Sequence, residues 1–271
     1  SIIQFKVEGM LIREHPEFGM EHRALLHRIN YETGEICLDG KVYRLKDCAF
    51  PTIDPGNPYQ LTEEEEEVVS RLEKAFLNCE KLQKHMRFLL AKGGLYKIYN
   101  NNLLYHGCVP LNEDGSLKET ELFGHRYKGK SLYDVLESYV RKGFFALDAK
   151  EREQGKNIMW CIWQHPDSPL FGKDKMATFE RILQEFGLDP MGAHIVNGHV
   201  PVKSKNGESP IKCNGKVLVI DGGFSRAYQK ETGIAGYTLI YNSYGLLLVA
   251  HEPFESKEAA VEKGSDIHSD Y

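Results

Sequence analysis

Three stretches of the chain place a side chain able to do chemistry at the end of an apolar run and beside glycine. They are Leu103-Leu104-Tyr105-His106-Gly107, Ile195-Val196-Asn197-Gly198-His199 and Val217-Leu218-Val219-Ile220-Asp221-Gly222-Gly223. Continuous β-rich runs of this kind fit strands buried on both faces of an α/β sheet. Ligands in such sheets gather beyond the carboxyl ends of the strands. His106, His199 and Asp221 are therefore expected in one crevice. A histidine at a strand end is well placed to ligate a metal, and glycine lets the backbone turn and leaves room for a substrate. The plainer reading of either histidine alone is a hydrogen-bonded loop residue. The repeated pattern is what favours ligation.

The turn Asp221-Gly222-Gly223-Phe224-Ser225-Arg226 offers backbone donors and a guanidinium that could hold phosphate, which makes Asp221 and Arg226 candidate substrate-binding residues. It lacks the lysine of a nucleotide P-loop, and no G-x-G-x-x-G or G-x-S-x-G sequence occurs, which argues against a nucleotide P-loop and against a serine hydrolase. Asp266-Ile267-His268 has the spacing of a dinuclear metal element but sits in a polar tail without a strand before it, and is read as a chance match. His194 lies at the far end of the strand that leads to His199 and is read as structural. His251 follows the last strand, where it lines a pocket or packs. Trp160 and Trp163 are read as core or interface residues.

The elements that would position these groups follow from local pattern. Residues 1–30 mix apolar and basic side chains and read as helix-rich; residues 31–49 read as a hairpin turning at Asp39-Gly40. Three prolines between Phe50 and Pro58 mark a rigid, irregular connection. One long helix is expected after Thr62 as N-cap, carrying Val68, Val69, Leu72, Ala75, Phe76, Cys79, Leu82, Met86 and Leu89 on its apolar face. Its first turns hold Glu63 to Glu67, read as a solvated helix start favoured by the macrodipole. Tyr237 to Tyr241 and Leu246 to His251 read as a second hairpin.

Composition narrows the class. With 41% hydrophobic and 27% charged residues the 271-residue chain is globular in character, and no apolar run approaches the roughly 18 to 20 residues of a membrane span. The net charge of −5 equals the five consecutive glutamates, so it argues weakly against a nucleic-acid partner. Six scattered cysteines without a C-x-x-C pair exclude a zinc ribbon and point to reduced thiols in a cytoplasm. The chain opens at Ser1 without an initiator Met or a signal peptide, and reads as a piece of a longer protein.

The segments Leu104-Tyr105-His106-Gly107-Cys108-Val109-Pro110-Leu111, Asn197-Gly198-His199-Val200-Pro201-Val202 and Val219-Ile220-Asp221-Gly222-Gly223-Phe224-Ser225 together resemble class III (Firmicutes-type) fructose-1,6-bisphosphatases of the calcineurin-like metallophosphoesterase superfamily. So do Phe50-Pro51-Thr52-Ile53-Asp54-Pro55 and Thr232-Gly233-Ile234-Ala235-Gly236-Tyr237. The resemblance runs over nearly the whole chain. It implies an α/β fold that is part of a β-sandwich flanked by helices. It also implies hydrolysis of the 1-phosphate of fructose 1,6-bisphosphate at a two-metal centre, usually Mn2+, with His106 and His199 as metal ligands.

The family's D-x-H, G-D-x-x-D-R and G-N-H-D/E motifs, and with them the general acid, do not occur in this chain in a credible setting, so the resemblance covers the carboxyl-side portion and predicts an inactive fragment. It divides into residues 1–100 beside the phosphatase core, 101–255 as half of that core with a helical insertion near 130–190, and an incomplete polar tail at 256–271. A sizeable insertion of the family is absent where Arg181 runs into Ile182. The expected partners are a sugar bisphosphate and, for assembly, a second copy or the missing amino-side portion, with no nucleic acid and no membrane. The alternatives are a phosphatase of a phosphoprotein or dinucleoside polyphosphate, and a non-catalytic sugar-phosphate-binding module.

Overall fold

The computed structural model describes residues 2–165, 168–169, 178–221, 226–234, 236–252, 255–264 and 267–270. It divides into two compact units, with the boundary at Gly93 and Gly94. The fold is mixed α/β, as the sequence pattern predicts.

The first unit starts with helix α1 (Ile2–Glu14), continues through three short 3-10 turns, and then forms a small antiparallel sheet of β1 (Ile29–Asn30), β2 (Glu35–Leu38) and β3 (Lys41–Arg44). The β2–β3 turn sits where Asp39-Gly40 predicts it. Both residues have positive φ, 49° and 75°, which the right-handed twist of a two-residue hairpin turn requires. Ile12, Phe18, Met20, Leu26, Ile36 and Tyr59 supply the buried apolar side chains. The expected single long helix is in fact two, α2 (Glu63–Leu77) and α3 (Glu80–Lys92). They are broken because Cys79 takes extended backbone (φ −78°, ψ 97°) directly after the C-cap Asn78.

Thr62 caps α2 as expected: its hydroxyl accepts from the Glu65 N–H at 3.3 Å, and the Glu65 carboxylate accepts the Thr62 N–H at 3.0 Å. One of the five glutamates departs from the solvated helix start. Glu65 is buried, and its Oε2 lies 2.7 Å from the Nζ of Lys6, which is wholly buried.

The second unit is built on a five-stranded sheet in the order β4-β5-β8-β10-β9. β4 (Tyr96–Tyr99) and β5 (Asn102–Tyr105) form a hairpin, and β6 (Thr120–Leu122) pairs with β7 (His125–Tyr127) in a separate ribbon. Helices α4 (Gly129–Phe145), α5 (Ala149–Gln164) and α6 (Phe179–Glu185) precede β8 (His194–Asn197); β9 (Ile211–Lys212) and β10 (Val217–Val219) complete the sheet. Leu103, Tyr105, Ile195 and Val217 pack on Tyr133, Ile182, Leu183 and Phe186 from the helices, which is the larger core. After α7 (Arg226–Thr232), β11 (Gly236–Asn242) and β12 (Gly245–His251) form the expected second hairpin. Its Tyr237 and Leu248 cluster with Val202 and Val219. Residues 256–271 contain helix α8 (Lys257–Lys263) and β13 (Ile267–Asp270), which pairs antiparallel with β12. Asp266 of the D-x-H match lies outside the described residues.

Helices α4 and α5 approach most closely at two glycines. A Cβ built on Gly155 would stand 2.1 Å from the Gly143 nitrogen and 2.4 Å from the Tyr139 carbonyl oxygen. Gly155→Ala therefore has to push the helix pair apart, and we expect it to lower the chain's unfolding free energy by about 1–3 kcal/mol despite alanine's better helix propensity. Urea denaturation followed by circular dichroism measures this; an unchanged midpoint would show that the helices separate freely.

Candidate functional site

β5, β8 and β10 are adjacent and parallel, with Leu103 opposite Ile195 and Asn197 opposite Val219. Their carboxyl ends therefore lie side by side, and the three side chains singled out from the sequence follow directly from those ends. Backbone hydrogen bonds continue past the strands and fix the loops. The Gly198 N–H donates to the His106 carbonyl at 2.9 Å, that of Ile220 to Asn197 at 3.0 Å, and that of Val202 to Asp221 at 2.9 Å.

The sharp turn does not fall on glycine. His199 itself has φ +69°, and the Val200 N–H closes a three-residue turn onto the Gly198 carbonyl at 2.9 Å. A non-glycine residue in that region is strained by about 1–3 kcal/mol, and such strain collects at functional sites. Gly198 contributes proximity instead. A Cβ there would stand 3.5 Å from the Asp221 Cβ and 3.7 Å from the His106 carbonyl, so the three loops touch at this point.

The outcome is an imidazole pair. His199 Nδ1 and His106 Nε2 are 3.2 Å apart, with ring planes 70° to one another. Two nitrogens sharing a metal at about 2.0–2.1 Å and a tetrahedral angle stand roughly 3.3 Å apart, so this spacing fits two ligands of one ion. Without an ion the same contact is a hydrogen bond in which one ring N–H donates to the other ring's bare nitrogen. Burial, followed by the nearby His199 charge, holds His106 below the usual imidazole range, and the Asp221 carboxylate partly offsets this. Both leading causes favour the neutral ring, the form that ligates. Among the described residues no group of three or more His, Cys, Asp or Glu is placed to hold a metal.

Sequence reasoning missed the residues that brace the His106 loop. Tyr133, fully buried on α4, donates its hydroxyl to the Cys108 carbonyl at 2.8 Å, and the Cys108 N–H donates to Pro169 at 2.8 Å. Tyr133 looks like any aromatic on an amphipathic helix, so nothing in its spacing marks it. Arg226 opens α7, and its side chain lies outside the described residues, as do residues 222–225. His194 begins β8, at the end away from His199. His251 closes β12, with its Nε2 2.8 Å from the Thr238 hydroxyl. All six cysteines are unbridged. No helix among the described residues is long and apolar enough to cross a membrane.

Comparison with known proteins adds three findings. The model of a family described as Firmicute fructose-1,6-bisphosphatase matches residues 1–182 and 180–271. The chain is 54% identical over 298 residues to a protein of Clostridium acetobutylicum named fructose-1,6-bisphosphatase class 3, and 55% identical over 298 residues to one of that name in Clostridioides difficile. A protein of the same name in Alkaliphilus metalliredigens is 54% identical over 300 residues. In each case 99% of the chain aligns but only 45% of the relative, so the chain spans less than half their length. No solved structure matches it.

The 298 aligned positions exceed the chain's 271 residues, which leaves at least 27 positions of the relative without a counterpart here. The two matched stretches meet at 180–182, the junction where the sequence lacks an expected insertion. In this chain α6 runs through that junction unbroken. Arg181 donates to the Gly115 carbonyl at 2.6 Å, while Ile182 and Leu183 are buried.

Proposed function

Because the chain belongs to the Firmicute fructose-1,6-bisphosphatase family, we propose that it is one portion of a metal-dependent sugar bisphosphatase with a calcineurin-like core. In this reading it carries two of the metal ligands and not a complete catalytic centre. The observation that supports this best is the placement of His106 Nε2 and His199 Nδ1 3.2 Å apart beyond parallel strand ends.

The whole enzyme would hydrolyse the 1-phosphate of D-fructose 1,6-bisphosphate to D-fructose 6-phosphate and phosphate. Manganese, when bound, supplies charge neutralisation at the phosphate and a nucleophilic hydroxide. The chain's own residues do the positioning. His106 and His199 present ring nitrogens on loops laced together by backbone hydrogen bonds, so their geometry exists before any ligand arrives. Tyr133 and Pro169 hold the Cys108 peptide and so limit how far His106 can swing. Asp221, beside His106, can accept hydrogen bonds from sugar hydroxyls, and Arg226 can take a phosphate oxygen. The general acid and the remaining ligands come from the portion of the polypeptide not present here. We place the enzyme in the cytoplasm.

The test has two arms. The isolated chain should bind Mn2+ weakly by calorimetry and release no phosphate from fructose 1,6-bisphosphate. The full-length protein should release it in a Mn2+-dependent way and prefer it to a phosphoprotein and a dinucleoside polyphosphate. Turnover by the isolated chain would refute the split site. A preference for another phosphoester would refute the substrate. Metal-independent binding of the sugar bisphosphate without turnover would point to a non-catalytic module.

A further inference from the structure

Helices α2 and α3 have the amphipathic pattern of packed helices but almost nothing packed against them. None of the residues of α3 is buried, and of α2 only Glu65, at its first turn, is buried. On α2 the apolar side chains at i, i+4 and i+8, Val68, Leu72 and Phe76, form one row and are 42%, 55% and 59% exposed. On α3, Phe88 and Leu89 are 65% and 57% exposed. The two helices make no extended contact with one another or with any other element of their unit.

Isolated helices of about 12–15 residues are marginal in water, and helices in proteins draw their stability from a packed apolar face. A capping box and one buried ion pair anchor the start of α2, whereas the N-cap Cys79 of α3 makes no side-chain cap hydrogen bond. Exposed apolar rows of this extent mark an interface. The relatives show what is available to cover it, since more than half their length has no counterpart in this chain.

We infer that the Val68–Leu72–Phe76 row and the Phe88–Leu89 pair are a docking surface for the remainder of the same polypeptide, which lays an apolar face on α2 and α3. This rests on reading the chain as part of a longer phosphatase. A segment tethered in the same polypeptide meets this surface at high effective concentration, an advantage a second copy lacks.

The test co-expresses the tagged chain with the portion of the Clostridium acetobutylicum relative that has no counterpart in it. A single-chain chimera of the two is made in parallel. The two polypeptides should co-purify in equal amounts, and amide exchange across residues 63–92 should slow at least tenfold in the complex and in the chimera. Leu72→Glu with Phe76→Glu, or Phe88→Glu with Leu89→Glu, should reduce co-purification at least tenfold, while Tyr244→Glu in the exposed β11–β12 turn should not. These positions are exposed, so circular dichroism of the isolated variants should match the parent.

Co-purification unaffected by the charged variants overturns the assignment. So does unchanged exchange over 63–92 in the chimera. Self-association of the chain through these residues, with no uptake of the complementary portion, transfers the surface to a second copy. A complex that forms as expected but releases no phosphate from fructose 1,6-bisphosphate refutes the proposed activity and leaves the surface standing.

Discussion

On the proposed function, His199→Ala in the full-length protein is expected to lower kcat/KM for fructose 1,6-bisphosphate by at least about 10²-fold. Loss of residues that merely orient metal ligands already costs about 10–100-fold, and the proposed function makes His199 a ligand itself. Its Nδ1 stands 3.2 Å from His106 Nε2, so removing either ring leaves one imidazole where the site offers two. His106→Ala is expected to behave alike. A loss of folding is separated from a loss of ligation by His199→Gly. At φ +69° glycine carries no penalty, so this variant should unfold at the parent's midpoint or above it and remain inactive. Near-normal turnover in His199→Gly would remove His199 from the metal site.

Lys6→Met is expected to be the most damaging single change in the first unit. The wholly buried Lys6 ammonium is paired with Glu65 and also donates to the Thr52 carbonyl. Taking away one partner leaves a buried carboxylate uncompensated, which typically costs about 3–5 kcal/mol. The same pair predicts a pH dependence. Burial pushes the Glu65 carboxyl upward, but the bonds it accepts from Lys6, Thr52 and the Thr62 N–H outweigh this and hold it below its ordinary range. The unfolded chain therefore binds this proton more readily than the folded one. The stabilisation is fully present above the ordinary carboxyl range, about pH 4.3, and is lost as pH falls from there through the folded value. Urea unfolding of parent and variant between neutral pH and pH 3 reads both effects. Parallel curves for the two proteins across that range would show that the pair carries none of the acid sensitivity.

How much of this was legible beforehand depended on whether the cause was local. Asp39-Gly40 announces its turn because the two positive φ angles have to be met by those residue types. The three strand ends were legible for a similar reason, since an apolar β-rich run followed by a polar residue and glycine has few other solutions. That they are parallel neighbours depends on pairings between residues about ninety apart, as in His106 and His199, and no local signal encodes it. The break at Asn78-Cys79 was hidden because the apolar spacing continues across it while the backbone does not. The burial of Glu65 was hidden inside a run of identical residues. Its place three residues after the cap Thr62 sets it apart locally, but the partners that bury it, Lys6 and Thr52, come from other parts of the chain. The positive φ at His199 was hidden because the glycine beside it is the residue one expects to bend.

The helix that runs through residues 179–185 bears on how such a gene can change length. Its two halves answer to different partners: Arg181 to the Gly115 carbonyl, Ile182 and Leu183 to the core. Each half is held by what it touches, and the backbone hydrogen bonds of one continuous helix tie the two together across the join. The two stretches matched by the family model meet at this helix, and at least 27 positions of a relative have no counterpart in this chain. Length variation is ordinarily confined to surface loops. Here the two matched stretches meet inside a helix instead.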